Sequence, residues 1–433
     1  MEPKYEHIPV EQEVEKKENK FLQTVRQFGP GIVAVLAMMG AGDLVSSSVS
    51  GANYGYDLMW ILAGSLIIRF VVVNAMARYE LCNIEQNSIL EGYQSLGRFF
   101  PWFFMISTLI IGHLINSYMI SGAGQALSWI FNFGSPFLWS CGVVLISLFV
   151  IGRNVYKSIE NLMKLLLGVM TISFLGIAIY AVPNFGGILR GTIGFGVPEN
   201  QGVFSVFLIA LSLIGAVGGS LTNFLYPYYA KEKGWNSPAY LKIQRYDLLF
   251  GISAAIIINL ALWVVGAEVL RPNGIQVSGL DDISKALSTH MGYFGALVFY
   301  LGVFGILYSS VVGFANGYPK LVIDCLHMIK KERRQKYGRK FEDDPMFKWV
   351  SLFILISPII WSIPGMPGFV AMVVFVNALQ GVIVPIIAFG LLMLTNKTSH
   401  LGKYKNNWLE NVVLSLTTAL TIWVTFEWFI GLF

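Results

Sequence analysis

The sequence predicts an all-α, polytopic membrane protein in which a bundle of helices crosses the bilayer. Of the 433 residues, 55% are hydrophobic and only 13% are charged, and the mean hydropathy is +0.62. Apolar runs of about 20 residues, the length that a helix needs to cross roughly 30 Å of hydrocarbon, recur along the chain. Lipid offers the backbone no hydrogen-bond partners, so only helices or a closed barrel can span it, and continuous apolar runs favour helices.

Eleven spanning segments are predicted from these runs. They are Phe28–Ser50, Leu58–Arg78, Trp102–Trp129, Phe137–Ile151, Leu162–Val182, Val203–Tyr229, Leu248–Leu270, Phe294–Met328, Trp349–Ile363, Phe369–Thr395 and Trp408–Phe433. The first five form one predicted repeat at residues 28–182, and the next five form a second at residues 183–395. Residues 396–433 then supply a cytoplasmic loop and the eleventh helix.

The distribution of Lys and Arg predicts the orientation of the bundle. With the tail of residues 1–27 placed in the cytoplasm, the loops on the same side collect most basic residues, including those from Lys320 to Lys348. The opposite loops keep only Arg190, Arg271 and Lys285. Basic loops favour the cytoplasmic side, so we expect a multi-pass plasma-membrane protein with a cytoplasmic N-terminus and an extracytoplasmic C-terminus.

Composition also excludes several classes of function. The net charge of +5 follows from the loop asymmetry, so the bilayer and not a nucleic acid is the expected partner, with a monomer and a homodimer both open. The scattered Cys82, Cys141 and Cys325 suit neither a disulfide framework nor a Cys-rich metal site. No catalytic pair, phosphate loop or His-rich motif occurs, so neither an enzyme nor a bound cofactor is predicted. The tail of residues 1–27 carries charges of both signs, so a cleavable signal peptide is not predicted there.

Two of the predicted helices are interrupted by glycine at matching places. The first segment contains the stretch Gly40–Asp43, and the sixth, five spans later, contains Gly215, Gly218, Gly219 and Ser220. Interrupted helices at equivalent positions of two halves indicate an inverted-repeat transporter whose site lies near the middle of the membrane. Glycines that only permit close helix packing are the alternative for either cluster taken alone.

Asp43 is the strongest candidate for a functional residue. A carboxylate in the middle of an apolar helix costs about 3 kcal/mol or more on insertion scales, so such a residue usually faces a cavity and binds an ion or a proton. The alternative is a buried Asp that caps the half-helix after the break through backbone N–H groups. The two roles are compatible, because an unwound segment also exposes carbonyl oxygens to a cation.

Neutral oxygen donors accompany this acid in two other segments. They are Ser220, Thr222 and Asn223 in the sixth segment and Asn377 and Gln380 in the tenth. With backbone carbonyls at Gly40, Gly218 and Gly219, they would form a site of one carboxylate and several neutral oxygens. Such a donor set suits a hard cation and lacks the sulfur and imidazole that retain transition metals. Each residue alone is also explained by hydrogen bonding between helices.

The second and third segments carry further polar residues. His113 and Asn116 form a candidate polar relay, although a single His in an apolar helix is more often a hydrogen-bonded packing residue. Arg69 has no evident partner in the sequence, and its role stays open.

Several stretches of the chain match the motifs of one transporter family. They are Gly29-Pro30-Gly31, Gly40–Asp43 and Gly51–Trp60, with Ala77-Arg78, Glu160 and Leu213–Ala216 further along. These stretches resemble the first helix, the following turn and later positions of the NRAMP divalent-metal transporters. The resemblance spans essentially all eleven segments. It implies the LeuT-type fold, with two inverted five-helix repeats and broken helices one and six, and it implies metal uptake.

The departures from the family pattern change the ion that is expected. The first break of the family reads Asp-Pro-Gly-Asn, whose Asp and Asn bind metal, whereas here the acid has moved to the last position, Asp43. The family's Met-Pro-His in helix six is replaced by the stretch Gly219–Leu221, and its Gln in helix ten aligns with Asn377. This pattern is similar to the NRAMP-related magnesium transporters. One carboxylate in a roomy, glycine-lined pocket suits Mg²⁺, which gives up its waters reluctantly.

The residues that form the family's proton route are also different in this sequence. Its acidic pair in helix three falls near Asn116 and Met119, and its Arg pair in helix nine is reduced to Lys348 at most. The leading interpretation is therefore a secondary transporter of Mg²⁺ or another hard divalent ion, without proton coupling. An organic-solute transporter of the same fold, for example for amino acids, and a non-transporting scaffold or receptor are the alternatives.

Overall fold

The computed structural model describes residues 40–150, 156–338 and 340–432, without the side chains of residues 156–164, 166 and 167. The N-terminal tail, the Gly29-Pro30-Gly31 motif and the start of the first predicted span lie outside these residues, as does the side chain of Glu160. Every regular element within the described ranges is helical, which confirms the predicted all-α class.

The helices within those ranges are numbered in chain order. They are α1 (Ala41–Tyr54), α2 (Met59–Cys82), α3 (Ile89–Leu96), α4 (Phe99–Phe131), α5 (Pro136–Val150), α6 (Tyr156–Tyr180), α7 (Phe185–Ile193), α8 (Val206–Leu213), α9 (Leu225–Glu232), α10 (Leu241–Val265), α11 (Leu280–Ile329), α12 (Lys331–Tyr337), α13 (Pro345–Ile356), α14 (Phe369–Thr395), α15 (Thr398–Leu401) and α16 (Trp408–Ile430). Short π or 3-10 segments extend or join several of them, chiefly Ile214–Gly218, Leu221–Phe224, Gly266–Leu270 and Ser357–Ser362.

Eight helices of the described part are long and apolar enough to cross a membrane. A ninth follows if residues Gly168–Tyr180 of α6 and helix α7, which meet at 105°, form one bent span. Helix α5 is apolar but has only 15 residues. The predicted second to eleventh spans each coincide with a helix or a broken helix, and the first is described only from Gly40 onward. The total of eleven spans stays a prediction.

Two predicted boundaries are shifted for local reasons. The span predicted to begin at Trp349 begins at Pro345, because Pro fits the first helical turn and the Asp344 side chain caps it by accepting the backbone N–H of Met346. The span predicted to begin at Phe294 is the second part of α11, whose first part precedes a kink at Gly292 with φ +59°. Glycine tolerates that left-handed conformation, which other residues rarely adopt.

Helix α1 lies at the centre of the bundle. All of its residues are buried, and it packs against α8, α10, α14 and the π segment at Gly266. Its polar side chains form hydrogen bonds across these contacts. For example, the Ser46 and Ser212 hydroxyl oxygens lie 2.7 Å apart. The two glycine-interrupted stretches therefore meet inside the protein and not at its surface.

Candidate functional site

The first break is described from Gly40 onward. Gly40 has extended backbone, with φ −110° and ψ −161°, and α1 begins at the next residue with Asp43 in its first turn. The partial positive charge of a helix N-terminus favours a carboxylate at that position. A Cβ on Gly42 would lie 2.9 Å from both the Ala216 Cβ and the Asn377 Nδ2. Glycine at position 42 therefore allows α1 to approach the sixth segment and α14 closely.

Asp43 is only 2% exposed, and its two oxygens have different surroundings. Its Oδ1 accepts a hydrogen bond of 3.0 Å from Asn259 Nδ2 on α10, and Asn259 in turn accepts one of 2.7 Å from the Ser47 hydroxyl. Its Oδ2 is buried and has no hydrogen-bond partner in the described protein. A buried, unpaired carboxylate oxygen is costly, so this atom is available to a ligand.

The second break interrupts the sixth segment between α8 and α9. The π turn Ile214–Gly218 is followed by Gly219 at φ +72° and by Ser220 at φ −138° and ψ −109°, after which a 3-10 turn begins at Leu221. A Cβ on Gly219 would collide with the Asn223 side chain, whose Nδ2 donates to the Gly218 carbonyl at 3.1 Å. The interruption predicted from the glycines is thus confirmed.

A chain of hydrogen bonds orients the neutral donors of the sixth and tenth segments. Ser220 Oγ donates to Gln380 Oε1 at 3.0 Å, and Gln380 Nε2 donates to Asn377 Oδ1 at 2.8 Å. Asn377 Nδ2 donates to the Val373 carbonyl at 2.8 Å. Each amide group is therefore held in one orientation, and the oxygens retain lone pairs that can accept further contacts.

The two breaks enclose a small cavity of about 20 Å³. Five of the predicted site residues line it, namely Gly40, Asp43, Thr222, Asn377 and Gln380. The other four, Gly218, Gly219, Ser220 and Asn223, form the interrupted backbone beside it and do not line it. A volume of about 10–15 Å³ is enough for one water, so the space suits one water or one ion. It is smaller than the roomy pocket that was expected.

Three residues that the sequence reasoning missed belong to this site. Tyr118 and Met119 of α4 line the cavity, and Asn259 holds Asp43. Asn259 follows three isoleucines in an apolar helix, so a lone amide in the seventh predicted span was the available signal. Met119 is important because its thioether is a soft donor beside a set of oxygen donors. The expectation that the site contains no sulfur is therefore wrong for the cavity wall.

His113 and Asn116 do not line the cavity. His113 Nε2 accepts a hydrogen bond of 2.9 Å from the Trp361 indole N–H, and its Nδ1 lies 2.7 Å from the Ser357 hydroxyl. Asn116 Nδ2 donates to the Ile354 carbonyl at 2.9 Å. Both residues thus connect α4 to α13 and to the 3-10 turn that follows it.

A separate charged cluster lies outside the spans, where the basic Lys330–Lys340 stretch meets α13. Asp344 contacts Arg333 at 2.5 Å and 3.0 Å and His327 Nε2 at 3.0 Å. Burial raises the pKa of the Asp344 carboxyl, but the hydrogen bonds from Arg333, the Met346 backbone and His327 outweigh it and lower the pKa to about 2. Asp344 is therefore ionised at neutral pH and fixes the start of α13.

A family model and individual known proteins both match this chain. Residues 31–430 match the family described as "Natural resistance-associated macrophage protein-like", or Nramp. The divalent metal cation transporter MntH of Bacillus subtilis is 26% identical over 303 residues, which are 67% of this chain and 68% of that protein. The Natural resistance-associated macrophage protein 2 homolog of Dictyostelium discoideum is 22% identical over 96% of this chain and 65% of its own length.

Solved structures resemble the described fold. The Eremococcus coleocola manganese transporter, in complex with an aromatic bis-isothiourea substituted compound, has a TM-score of 0.74 at 18% identity over 95% of this chain and 87% of that one. MhsT in complex with L-phenylalanine has a TM-score of 0.56 at 17% identity over 93% of this chain and 98% of that one. At these identities the structures establish a shared transporter fold. The family match covers nearly the whole chain, and this protein therefore belongs to the Nramp family.

Proposed function

We propose that this protein is a secondary transporter that carries Mg²⁺, or another hard divalent cation, through the cavity beside Asp43. The observation that carries the proposal is that Asp43 lines an internal cavity and that its Oδ2 is a buried carboxylate oxygen with no hydrogen-bond partner in the described protein. An ion bound there would gain a charged ligand, and the hydroxyl of Thr222 and the amide oxygens of Asn377 and Gln380 would surround it. Mg²⁺ prefers such oxygen ligands and commonly uses only one or two carboxylates.

The geometry of the two breaks supports a transport mechanism of alternating access. Half-helices that end at a buried site can tilt about their interruptions, and here the interruptions lie at Gly40 and at Gly219-Ser220. In the proposed cycle, eleven spans form two inverted five-helix repeats, residues 28–182 and 183–395, and the repeats move around the ion. We further propose that the N-terminus lies in the cytoplasm and the C-terminus outside the plasma membrane, since the basic loops favour that orientation.

We also propose that transport is not coupled to protons. The polar residues of α4 are engaged elsewhere, because Asn116 bonds to the Ile354 carbonyl and His113 uses both ring nitrogens. An indole N–H can only donate, so His113 Nε2 acts as an acceptor and the ring proton resides on Nδ1. A proton reaching Nε2 would first have to displace Trp361, which makes His113 a poor relay between the cavity and water.

The site is less suited to the two alternative functions, an amino-acid transporter and a non-transporting scaffold or receptor. An amino-acid transporter would have to place a substrate carboxylate near Asp43, where like charges repel, and in this conformation the cavity of about 20 Å³ is too small for any amino acid. The fold alone does not distinguish a metal transporter from an amino-acid transporter, because the structure of MhsT in complex with L-phenylalanine has a similar fold. A scaffold or receptor has no evident use for an unpaired buried carboxylate.

A flux panel in proteoliposomes tests the proposal. Uptake of Mg²⁺, Ca²⁺, Mn²⁺, Zn²⁺ and Fe²⁺ is measured for the wild type, Asp43→Ala and the control Asp57→Asn, which removes an exposed carboxylate of the α1–α2 loop. We expect Mg²⁺ uptake that Asp43→Ala abolishes and Asp57→Asn preserves. Full Mg²⁺ uptake by Asp43→Ala would remove the cavity from the pathway. Amino-acid counterflow in the same vesicles, without metal uptake, would favour the organic-solute alternative.

A further inference from the structure

An apolar groove with a volume of about 480 Å³ runs between α2 and α10. Its lining residues extend from Met59 to Phe70 on α2 and from Leu249 to Leu260 on α10. A helix rises about 1.5 Å per residue, so each of these walls is about 16 Å long. The hydrocarbon of a bilayer is about 30 Å thick, so the groove is about as long as one leaflet is deep.

The groove is open to the lipid. Ile67 of α2 and Leu249 of α10, which both line it, are 54% and 46% exposed. In a membrane, a hydrocarbon chain therefore fills the groove. Lipid tails are as apolar as these walls, so the groove alone gives no reason for one particular lipid to stay. A lipid that binds here specifically needs polar contacts for its head group.

Helix α7 lies at one end of the groove. It has nine residues and is bent by 105° from the end of α6, so it runs across the direction of the spans. A Cβ on Gly191 would collide with the Tyr56 carbonyl, which places α7 against the turn where α2 begins. The apolar side chains of Phe185, Leu189 and Ile193 are exposed. A helix with such a face and this direction lies in the membrane interface, at the level of the lipid head groups.

The same helix also lines a polar cavity. The cavity has a volume of about 610 Å³, and Gly187 and Gly191 of α7 form part of its wall. Ile188 and Thr192, each one residue further along the chain, line the apolar groove instead. Consecutive residues of a helix are about 100° apart around its axis, so the two spaces adjoin along one edge of α7. A lipid at this edge can place a chain in the groove and its head group in the cavity.

The polar cavity contains charges of both signs. Arg190 and Arg271 line it, and neither forms an ion pair in the described part of the chain. Glu268 lines it too, and its Oε1 accepts a hydrogen bond of 2.8 Å from Tyr56, which leaves Oε2 for another donor. Asp57 is exposed to water at the rim. Guanidinium groups bind phosphate through paired hydrogen bonds, and a carboxylate accepts hydrogen bonds from an ammonium group. The cavity therefore complements a ligand that carries both a phosphate and a primary ammonium group.

We propose that this edge of α7 is a binding site for one phospholipid with an ethanolamine head group. One acyl chain lies in the groove, the phosphate contacts Arg190 and Arg271, and the ammonium group donates a hydrogen bond to Glu268. In the proposed orientation of the bundle, this lipid belongs to the extracytoplasmic leaflet. Because α7 packs on the turn that joins α1 to α2, the bound lipid also holds that turn in place and stabilises the folded protein.

Native mass spectrometry of the full chain in detergent tests the site. The delipidated protein is titrated with phosphatidylethanolamine, phosphatidylcholine and phosphatidylglycerol that carry identical acyl chains. We expect one phosphatidylethanolamine to bind most tightly. Phosphatidylcholine should bind more weakly because its quaternary ammonium group has no N–H donor for Glu268, and phosphatidylglycerol because it has no cation for that acid. Equal retention of the three lipids would overturn the proposal.

Charge variants locate the head group. Arg190→Gln and Arg271→Gln should each weaken the binding of phosphatidylethanolamine by roughly 10- to 100-fold, which is the contribution of a hydrogen bond to a charged group. Glu268→Gln should bring phosphatidylethanolamine and phosphatidylcholine to nearly equal affinity. The matched control Arg245→Gln removes an exposed arginine from the opposite end of α10 and should bind the lipid as the wild type does. An equal loss in Arg245→Gln would contradict a site at α7.

A second pair of variants locates the acyl chain. Ala63→Trp places an indole in the groove, whereas Leu145→Trp places one on an exposed face of α5. Only Ala63→Trp should weaken the binding of the lipid. The soluble head group glycerophosphoethanolamine should compete poorly, and competition as strong as that of the whole lipid would show that no chain enters the groove.

Thermal unfolding in the same detergent gives an independent measurement. Saturating phosphatidylethanolamine should raise the unfolding temperature of the wild type and of Arg245→Gln, but not that of Arg271→Gln. An equal rise in all three proteins would overturn the proposal. If Ala63→Trp does not fold, the arginine variants and the comparison of head groups still decide whether the site exists.

Discussion

Replacing Asn259 by alanine is expected to weaken metal binding although Asn259 is not itself a proposed ligand. Its Nδ2 holds Asp43 Oδ1 at 3.0 Å, which leaves Oδ2 as the free oxygen of the carboxylate. In Asn259→Ala the Asp43 carboxylate can rotate. Metal binding must then fix the orientation of the carboxylate, which Asn259 fixes in the wild type. Residues that orient a metal ligand typically contribute 10- to 100-fold in affinity, which corresponds to about 1.4–2.8 kcal/mol.

This estimated loss of binding free energy agrees with the free energy of the hydrogen bond that the substitution removes. A hydrogen bond to a charged group contributes about 1.5–3 kcal/mol, and that value sets the upper limit of the effect on binding. The same substitution removes the acceptor of the Ser47 hydroxyl, which lies 2.7 Å from Asn259 Oδ1. Protein stability should therefore fall as well, so that affinity and stability have to be measured separately.

Ser212→Ala is the matched control for this experiment. It removes a hydrogen bond of 2.7 Å between α8 and Ser46 of α1, which is equally buried but does not involve Asp43. Calorimetric titration with Mg²⁺ and Mn²⁺ in detergent should show a 10- to 100-fold rise in Kd for Asn259→Ala and little change for Ser212→Ala. Wild-type affinity in Asn259→Ala, or an equal loss in both variants, would refute the reasoning that Asn259 orients the ligand.

Three further expectations follow from the described residues. Met119→Leu should leave Mg²⁺ uptake unchanged and weaken inhibition by Cd²⁺, because only the soft thioether of the cavity wall is removed; equal Cd²⁺ inhibition in both proteins would argue that the sulfur does not reach the ion. The carboxyl of Asp344 has a pKa of about 2 in the folded protein, below its ordinary value of 3.8, so its contribution to stability is complete above about pH 4 and is lost as pH falls towards 2. Thermal unfolding should show the difference between wild type and Asp344→Asn shrinking over that window, whereas a constant difference would count against it. A reporter fused to the C-terminus should be extracytoplasmic, and a cytoplasmic signal would mean that the number of spans is even.

The helices and the interruption of the sixth segment were predictable because both are properties of contiguous sequence. Apolar runs show where helices lie, since the thickness of the hydrocarbon sets their length. The break at Gly219 needs a residue that tolerates φ +72°, and glycine is the residue that does so at little cost. Asp43 is a candidate for a similar reason, since an acid in an apolar run has few structural explanations, and its role in the site stays a prediction.

Contacts between distant segments could not be predicted in the same way. Arg78 stands at the end of the second predicted span, and nothing in the sequence names its partner, yet its side chain is only 3% exposed and lies 2.5 Å from Glu410 at the start of α16. Asn259 and Asp43 are 216 residues apart in sequence, and nothing in either local pattern indicates that they meet. Met119 reads as an ordinary apolar residue until the fold brings it to the cavity. A single sequence carries no record of such pairs.

The glycines that make the site possible also limit its size in this conformation. A Cβ on Gly42 would touch Ala216 and Asn377 at 2.9 Å, and a Cβ on Gly215 would collide with the Asn377 backbone. The walls approach until a space of about 20 Å³ remains, which is enough for about one water. Mg²⁺ usually retains several of its waters in protein sites, so a partly hydrated ion needs these walls to separate by several water volumes. In the proposed cycle, entry of the ion therefore requires these walls to move, and the interruption at Gly219 is one place where the described backbone can accommodate that movement.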